Sequence, residues 1–196
     1  SYKIIKMSFN FKTTYSTPYF DIEEGFDSNH PNTEPYYRLT GLDSVICCAM
    51  TMKGEFVMVK QFRPSIEEYT LEFPAGGLTI NEKPIDAAKR EFLEETSFSL
   101  DFLYLGDFKL MMNRTNIKEH IFFGLNPKKI DQSNPEKGLE VSFVNGQELI
   151  NRSITGGYKQ LAGLGIIQLV SNYLRLDIMN SSMEDISKIT FFLYKK

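Results

Sequence analysis

The chain has 196 residues, of which 42% are hydrophobic and 24% are charged, and its net charge is −3. This length and apolar content suit a folded domain and exclude a wholly disordered or low-complexity chain. The weak negative charge argues against a protein that holds nucleic acid mainly by neutralising phosphates, so no nucleic-acid partner is expected.

Residues 1–44 are predicted to form a separate N-terminal β-region. This segment is rich in aromatic residues, and a turn-rich stretch at 27–32 divides it, as is typical of short strands joined by a loop. The segment 1–7 lacks the apolar run of a signal peptide, and no apolar stretch approaches the roughly 20 residues that a membrane helix needs. We therefore expect a cytoplasmic protein with no membrane partner.

The cysteines and histidines offer little for a structural metal or a disulfide. Cys47 and Cys48 are neighbours in a predicted strand, so they point to opposite faces and are badly placed to pair with each other. His30 and His120 lie far apart, which leaves too few ligands for a structural zinc site. We expect both thiols to be small buried hydrophobes in a reducing compartment.

Residues 45–180 carry the stronger strand and helix signals. Strands are predicted at 45–51, 55–62, 69–73, 102–108, 119–125 and 139–144. Pro84 suits the first turn of a helix that ends near residue 96, and a glycine-containing loop at 75–77 precedes it. Polar loop residues fill 126–138, a short helix follows 145, and a longer helix covers 159–176. This order favours an α+β fold over regularly alternating βαβ units.

The tail at 181–196 has no assigned role. Its last apolar segment, 189–194, is β-prone.

Three carboxylates share one arc of the helix predicted to begin at Pro84. Glu94 and Glu95 follow Glu91 by three and four residues, so at about 100° per residue the side chains are neighbours. Each like-charge pair costs on the order of 1 kcal/mol in a water-like dielectric, and a divalent cation would remove that cost. Oxygen ligands without sulfur favour Mg²⁺ or Mn²⁺. On the helix alone, a solvated acidic face is the simpler explanation.

The residues around these carboxylates form a longer array. Gly76, Glu82 and Arg90 precede the acidic cluster with the spacing G-x5-E-x7-R-E-U-x-E-E-x-G-U, where U is apolar. Glu82 and Arg90 carry opposite charges that would tie the loop to the helix. Ser97 is the single departure, because it stands where the array has a glycine that often adopts a left-handed conformation. The array resembles the Nudix box.

The resemblance continues upstream, through 57–64 and 71–76, to the ADP-ribose and ADP-sugar pyrophosphatase branch of that family. It covers about 45–125 and, more weakly, 139–176. It implies a Nudix-type α/β/α sandwich with a mixed β-sheet for a catalytic domain at 45–180. Gly76, Glu82 and Arg90 would be the structural residues of the box.

The resemblance also implies ligands for the metal and the substrate. The carboxylates of Glu91, Glu94 and Glu95, with the Ala75 carbonyl, would hold Mg²⁺, or alternatively Mn²⁺. Arg63 would contact a substrate phosphate, as its planar guanidinium allows, and Glu72 would help shape the binding site. A surface ion pair of Arg63 with Glu67 or Glu68 is the alternative for that arginine.

The implied reaction is the hydrolysis of the diphosphate bond of a nucleoside diphosphate sugar, with ADP-ribose giving AMP and ribose 5-phosphate as the first expectation. Glu94 and Glu95 are the expected catalytic carboxylates of the metal site. The general base is expected on the loop after the box, where Glu136 is preferred to Glu140, and plain solvent exposure is the alternative for both. Other nucleotide sugars or dinucleotides, a non-catalytic nucleotide-binding module, and a purely structural acidic domain remain open.

The substrate and the oligomer are less constrained. Asn113 and Arg114 stand where members that prefer ADP-ribose often have a proline, and Arg114 is either a substrate contact or a solvated loop residue. The branch implies a homodimer through the N-terminal β-region at 1–44. An adenine would stack on one aromatic ring of that region, unless those rings serve only core or dimer packing. The candidate rings are Phe20, Phe26, Tyr36 and Tyr37.

Overall fold

The computed structural model describes residues 8–30, 32–131, 133 and 135–193. These residues form two compact units. The first contains the chain up to Asp43 together with Lys109–Lys118, and the second contains Ser44–Phe108 and the chain from Glu119 onward. The segment 109–118 therefore groups with the N-terminal region, although it lies inside the sequence range predicted for the central domain.

The described part of the first unit contains three antiparallel strands, in agreement with the short strands predicted there. They are β1 (Phe9–Ser16), β2 (Asp21–Asp27) and β3 (Tyr36–Thr40), in that order across the sheet. A side chain at Gly25 would meet the Phe11 ring at 2.5 Å, so glycine lets that ring lie across the middle strand. The segment 109–118 is tied to β3, because the Leu39 amide donates to the Arg114 carbonyl at 2.7 Å.

The second unit contains a mixed seven-stranded sheet within its described residues. Its strands are β4 (Ser44–Met50), β5 (Glu55–Arg63), β6 (Glu68–Glu72), β7 (Ala75–Gly77), β9 (Leu103–Phe108), β10 (Glu119–Leu125) and β12 (Glu140–Asn145). The order is β12-β5-β4-β10-β9, with β6 on β5 and β7 on β4, and β10 runs parallel to β4. Two short strands, β8 (Phe98–Ser99) and β11 (Lys128–Lys129), pair separately.

Helices cover both faces of this sheet. They are α1 (Pro84–Thr96), α2 (Gly146–Thr155), α3 (Leu161–Leu174) and α4 (Met183–Leu193). Phe92 of α1 packs in a cluster with Cys47 of β4, whereas Ile167 of α3 packs in a second cluster with Cys48. Because successive strand residues point to opposite faces, the two clusters are the two layers of an α/β/α sandwich. The predicted fold class is confirmed, and both cysteines are buried free thiols as expected.

Three local predictions are wrong. The segment 126–138, predicted as a polar loop, contains the short strand β11, which pairs with β8. Residues 75–77 form strand β7 and not a flexible loop, because Ala75 and Gly76 pair with Ile46 and Val45 of β4. The β-prone segment 189–194 is helical through Leu193, and Tyr194 lies outside the described residues. Tertiary packing overrides strand propensity in that segment.

The buried side chains of α4 explain that helix. Ile186 and Ile189 are three residues apart, which puts them on one face of a helix, and they are only 1% and 9% exposed in the cluster of α3. Along the described ranges, no helix has the length and apolar character required to cross a bilayer.

Candidate active site

Helix α1 begins and ends where its sequence predicts. Pro84 occupies the first turn, where a missing N–H costs nothing. The helix stops at Ser97, whose φ of 62° and ψ of 24° are left-handed and whose amide donates to the Leu93 carbonyl at 2.8 Å. Ser97 thus adopts the conformation that the glycine of the array would supply.

Arg90 links the loop before α1 to the helix. Its guanidinium makes two hydrogen bonds of 2.9 Å to the carboxylate of Glu82 and one of 3.0 Å to the Gly77 carbonyl. The same group donates to Glu91 at 2.6 Å and to Glu94 at 3.1 Å. The Arg90 bonds, with help from the Thr79 amide, lower the pKa of Glu82 to about 2. The predicted tie between Glu82 and Arg90 is therefore present.

Gly76 makes room for the first carboxylate of the cluster. A Cβ on Gly76 would lie 2.1 Å from the Glu91 carboxyl carbon, so any other residue would displace that side chain. Burial against the glycine raises the pKa of Glu91, although the hydrogen bond from Arg90 opposes the shift.

Glu95 is the most deeply placed carboxylate of the site. Its side chain accepts a hydrogen bond of 3.0 Å from the Ala75 amide, and the residue is 6% exposed. Burial raises the pKa of Glu95 to about 8 against the effect of that hydrogen bond. The charges of Glu91 and Glu136 raise it further, and the charge of Arg63 lowers it.

Described residues of the segment predicted as a polar loop, 126–138, lie beside this cluster. The Glu136 amide donates to the Glu94 carbonyl at 2.9 Å, and the Ile130 amide donates to the Ser97 carbonyl at 3.0 Å. Both bonds attach the loop to the C-terminal end of α1, with the Glu136 residue exposed. Glu140 instead lies on β12, where its carboxylate is 3.9 Å from the Lys60 ammonium.

Arg63 and Glu72 are bound to each other. Arg63 donates to both carboxylate oxygens of Glu72, at 2.8 and 2.6 Å, and Thr70 donates to the same carboxylate at 2.5 Å. Burial opposes ionisation of Glu72, but these hydrogen bonds outweigh it and lower its pKa. Glu68, an alternative partner for Arg63 in the sequence, pairs with Lys159. Sequence reasoning missed both this fixed ion pair and the role of Thr70.

The donor set suits a hard divalent cation. Glu91 and Glu95 are held in a desolvated position between α1 and β7, and a cation would relieve the cost of ionising both. Within the described ranges, no three acidic, histidine or cysteine side chains converge closely enough to hold a metal ion as they stand. Instead, Arg90 binds Glu91 and the Ala75 amide binds Glu95. Metal binding therefore requires the two carboxylates to turn towards one another.

The remaining predicted site residues belong to the first unit. Arg114 donates to the Asn113 carbonyl at 3.0 Å, and its guanidinium carbon is 5.9 Å from the centre of the Tyr36 ring. Phe20, Phe26 and Tyr37 are exposed, and the Tyr37 hydroxyl donates to Glu24 at 2.7 Å.

Comparison with known proteins gives consistent matches. The family model described as NUDIX domain matches residues 42–161. An ADP-ribose pyrophosphatase of Bacillus subtilis (strain 168) is 43% identical over 56 residues, and an ADP-sugar pyrophosphatase of Mus musculus is 52% identical over 42. The two segments make up 29% and 21% of this chain and 30% and 19% of the two relatives. Each match therefore spans less than a third of the relative's length.

A solved structure shares the fold. The crystal structure of an ADP compounds hydrolase superposes with a TM-score of 0.73 and 20% sequence identity, covering 89% of this chain and 97% of that one.

Proposed function

The chain belongs to the Nudix family, whose model matches more than half of it, and we propose that it hydrolyses the diphosphate bond of a nucleoside diphosphate sugar with the help of a divalent cation. ADP-ribose is the proposed first substrate, with AMP and ribose 5-phosphate as products. The names of the two curated relatives support this class. The observation that carries the proposal is the pair of desolvated carboxylates, Glu91 and Glu95, packed against the β7 strand that begins at Ala75.

The proposed cation is Mg²⁺, with Mn²⁺ as the alternative. Glu91, Glu94, Glu95 and the Ala75 carbonyl would hold it, since carboxylate and carbonyl oxygens are the ligands that both ions prefer. When bound, such an ion neutralises diphosphate charge and lowers the pKa of a coordinated water.

The side chains around the cluster have distinct proposed roles. Arg63 binds a substrate phosphate, and its bidentate pair with Glu72 fixes the guanidinium plane before the substrate arrives. Glu136 accepts a proton from the attacking water at its carboxylate, supported by its electrostatic influence on Glu95. Glu140 is the second candidate for this base, and Arg114 is a proposed contact to a phosphate or to the terminal sugar.

A hydrolysis panel tests the proposal. The purified protein is incubated with Mg²⁺ and ADP-ribose, other ADP-sugars, a GDP-sugar or a dinucleotide, and both products are identified by mass spectrometry. We expect Glu95→Gln to lower kcat by about 100-fold or more. Glu148→Gln is the matched control, because the Glu148 carboxylate pairs with Arg152 on the surface of α2.

Two results would contradict the proposal. A full rate in excess EDTA would exclude a metal-dependent enzyme. Calorimetric binding of a nucleotide with no product would indicate a binding module of the same fold.

The exposed aromatic rings of the first unit support the further proposal of a homodimer. Phe26 and Tyr37 are 40% and 50% exposed, and rings of this size are common in protein interfaces. Light scattering after size exclusion measures the oligomeric state. A cytoplasmic location stays a prediction from the sequence.

A further inference from the structure

The turn that joins β6 to β7 is held at four successive residues. The Glu72 side chain is bound by Arg63, the Pro74 carbonyl accepts from the Cys47 amide at 2.8 Å, and the Ala75 amide donates to Glu95. The amide of the remaining residue, Phe73, donates to the side-chain oxygen of Gln160 at 3.0 Å. Three of these partners belong to the sheet or to the acidic site, and Gln160 alone of the four comes from the segment before α3.

Gln160 stands at the N-cap of α3 but does not cap that helix. Its side chain makes no hydrogen bond to the first turn, although an N-cap side chain ordinarily satisfies one of the free amides there. The same oxygen that binds Phe73 also accepts from the Tyr158 hydroxyl at 3.2 Å. The side chain is thus committed to the β6–β7 turn and not to its own helix.

The surrounding residues leave space for this arrangement. A Cβ on Gly163 would lie 1.7 Å from the Tyr158 hydroxyl and 2.9 Å from the Gln160 oxygen. Tyr158 itself is buried in the cluster of α3. The first turn of α3 is therefore shaped around the hydrogen bonds that reach Phe73.

A shift of Phe73 would move two groups of the site. Phe73 is fully buried, and its ring packs edge-on against the Phe56 ring with 5.7 Å between the two ring centres. In the chain, Phe73 lies between Glu72 and the Pro74–Ala75 segment. A buried amide that loses its acceptor is left without a hydrogen bond, which favours a local rearrangement of the turn. The Glu72 carboxylate and the Ala75 carbonyl would both be displaced relative to α1.

We propose that Gln160 is a positioning residue, which holds the turn at Phe73 so that Glu72 and the Ala75 carbonyl stay aligned with the carboxylates of α1. The inference rests on the proposed function for its kinetic consequences. Its effect on cation affinity depends only on the placement of the protein's own oxygen ligands.

The experiment compares Gln160→Met, which removes the acceptor, with Gln160→Glu, which retains one. We expect Gln160→Met to weaken Mn²⁺ binding by about tenfold in calorimetry of the protein without substrate, and to lower kcat by a similar factor with a smaller change in KM. Exchange of the Phe73 amide should accelerate. Gln160→Glu should restore most of both losses, which a merely space-filling role would not explain.

Gln168→Met is the matched control. Gln168 is an exposed residue of α3 whose amide donates to Asn172 at 2.8 Å, so its loss should leave Mn²⁺ affinity and kcat unchanged. If Gln160→Met fails to fold, Tyr158→Phe removes only one donor to the same oxygen and should give a smaller loss in the same direction.

The outcomes separate this inference from the proposed function. If Gln160→Met only lowers the melting temperature, with wild-type Mn²⁺ affinity and kcat, the residue is structural and the inference is overturned. If the wild type hydrolyses no nucleotide, the proposed function fails, and Mn²⁺ affinity with Phe73 exchange still decides the role of Gln160.

Discussion

Ser97 shows how one residue can meet a backbone requirement at a cost. It ends α1 in a left-handed conformation, which is unfavourable for a side chain with a Cβ. Its buried hydroxyl is also the side-chain oxygen that finds no hydrogen-bond partner among the described residues. Both penalties fall at the position where the Nudix array has glycine.

We expect Ser97→Gly to raise the free energy of unfolding by about 1–2 kcal/mol, because it removes the strain and the unpaired hydroxyl and adds only the backbone entropy of glycine. Urea denaturation measures the change. Ser97→Ala removes the hydroxyl but keeps the strain, so it should gain less. A loss of stability in the glycine variant would contradict this account.

The Glu82–Arg90 ion pair makes the stability of the fold decrease at acidic pH. Arg90 lowers its folded pKa from the ordinary 4.5 to about 2, so the ion pair stabilises the fold above about pH 4.5 and is lost as the pH falls through 2. Glu82→Gln should therefore be less stable at neutral pH and lose less stability between pH 4.5 and 2. Denaturant midpoints across that range test the slope, with Glu148→Gln as the surface control.

Two glycines of helix α3 separate the effect of intrinsic helix propensity from the effect of packing. Gly163 and Gly165 are two residues apart in the same helix, and alanine is favoured over glycine by about 1 kcal/mol in a helix interior. The space around Gly165 is open, whereas Gly163 faces the Tyr158 hydroxyl.

We expect Gly165→Ala to stabilise the protein by up to about 1 kcal/mol and Gly163→Ala to destabilise it, because its methyl group would displace Tyr158 and Gln160. Chemical denaturation of both variants measures the contrast. Equal stabilisation by both substitutions would show that the Tyr158 hydroxyl moves without cost.

The elements differ in how well the sequence predicts them. The bounds of α1 follow from Pro84 and the box, since both are local signals. The Arg63–Glu72 pair depends on the register of β5 with β6, and the Gln160 bond joins residues 87 apart in the chain. Local patterns contain no information about either contact. Helix α4 was missed for the same reason, since its face is set by the cluster that it covers.

At the scale of the whole molecule, the described part of the C-terminal tail, which ends at Leu193, contributes to the main core. Ile186 belongs to the apolar cluster that also contains residues of β4, β5 and α3. Ile186→Ala should lower the free energy of unfolding by about 2–5 kcal/mol, as expected for a buried side chain whose loss leaves a cavity. Thermal and urea unfolding measure the loss, and Lys188→Ala on the exposed side of α4 should change stability little.

The fit of Gly76 beneath Glu91 also bears on how the sheet finds its alignment. Strand β4 is apolar on both faces, so a slip of β7 along it by one residue would cost little in hydrophobic burial. Such a slip would bring Ala75 or Gly77 opposite Val45 in place of Gly76. A methyl group from Ala75 would then compete with the carboxylate for the same space. Gly76 therefore disfavours the register in which Ala75 lies opposite Val45, in addition to leaving room for Glu91.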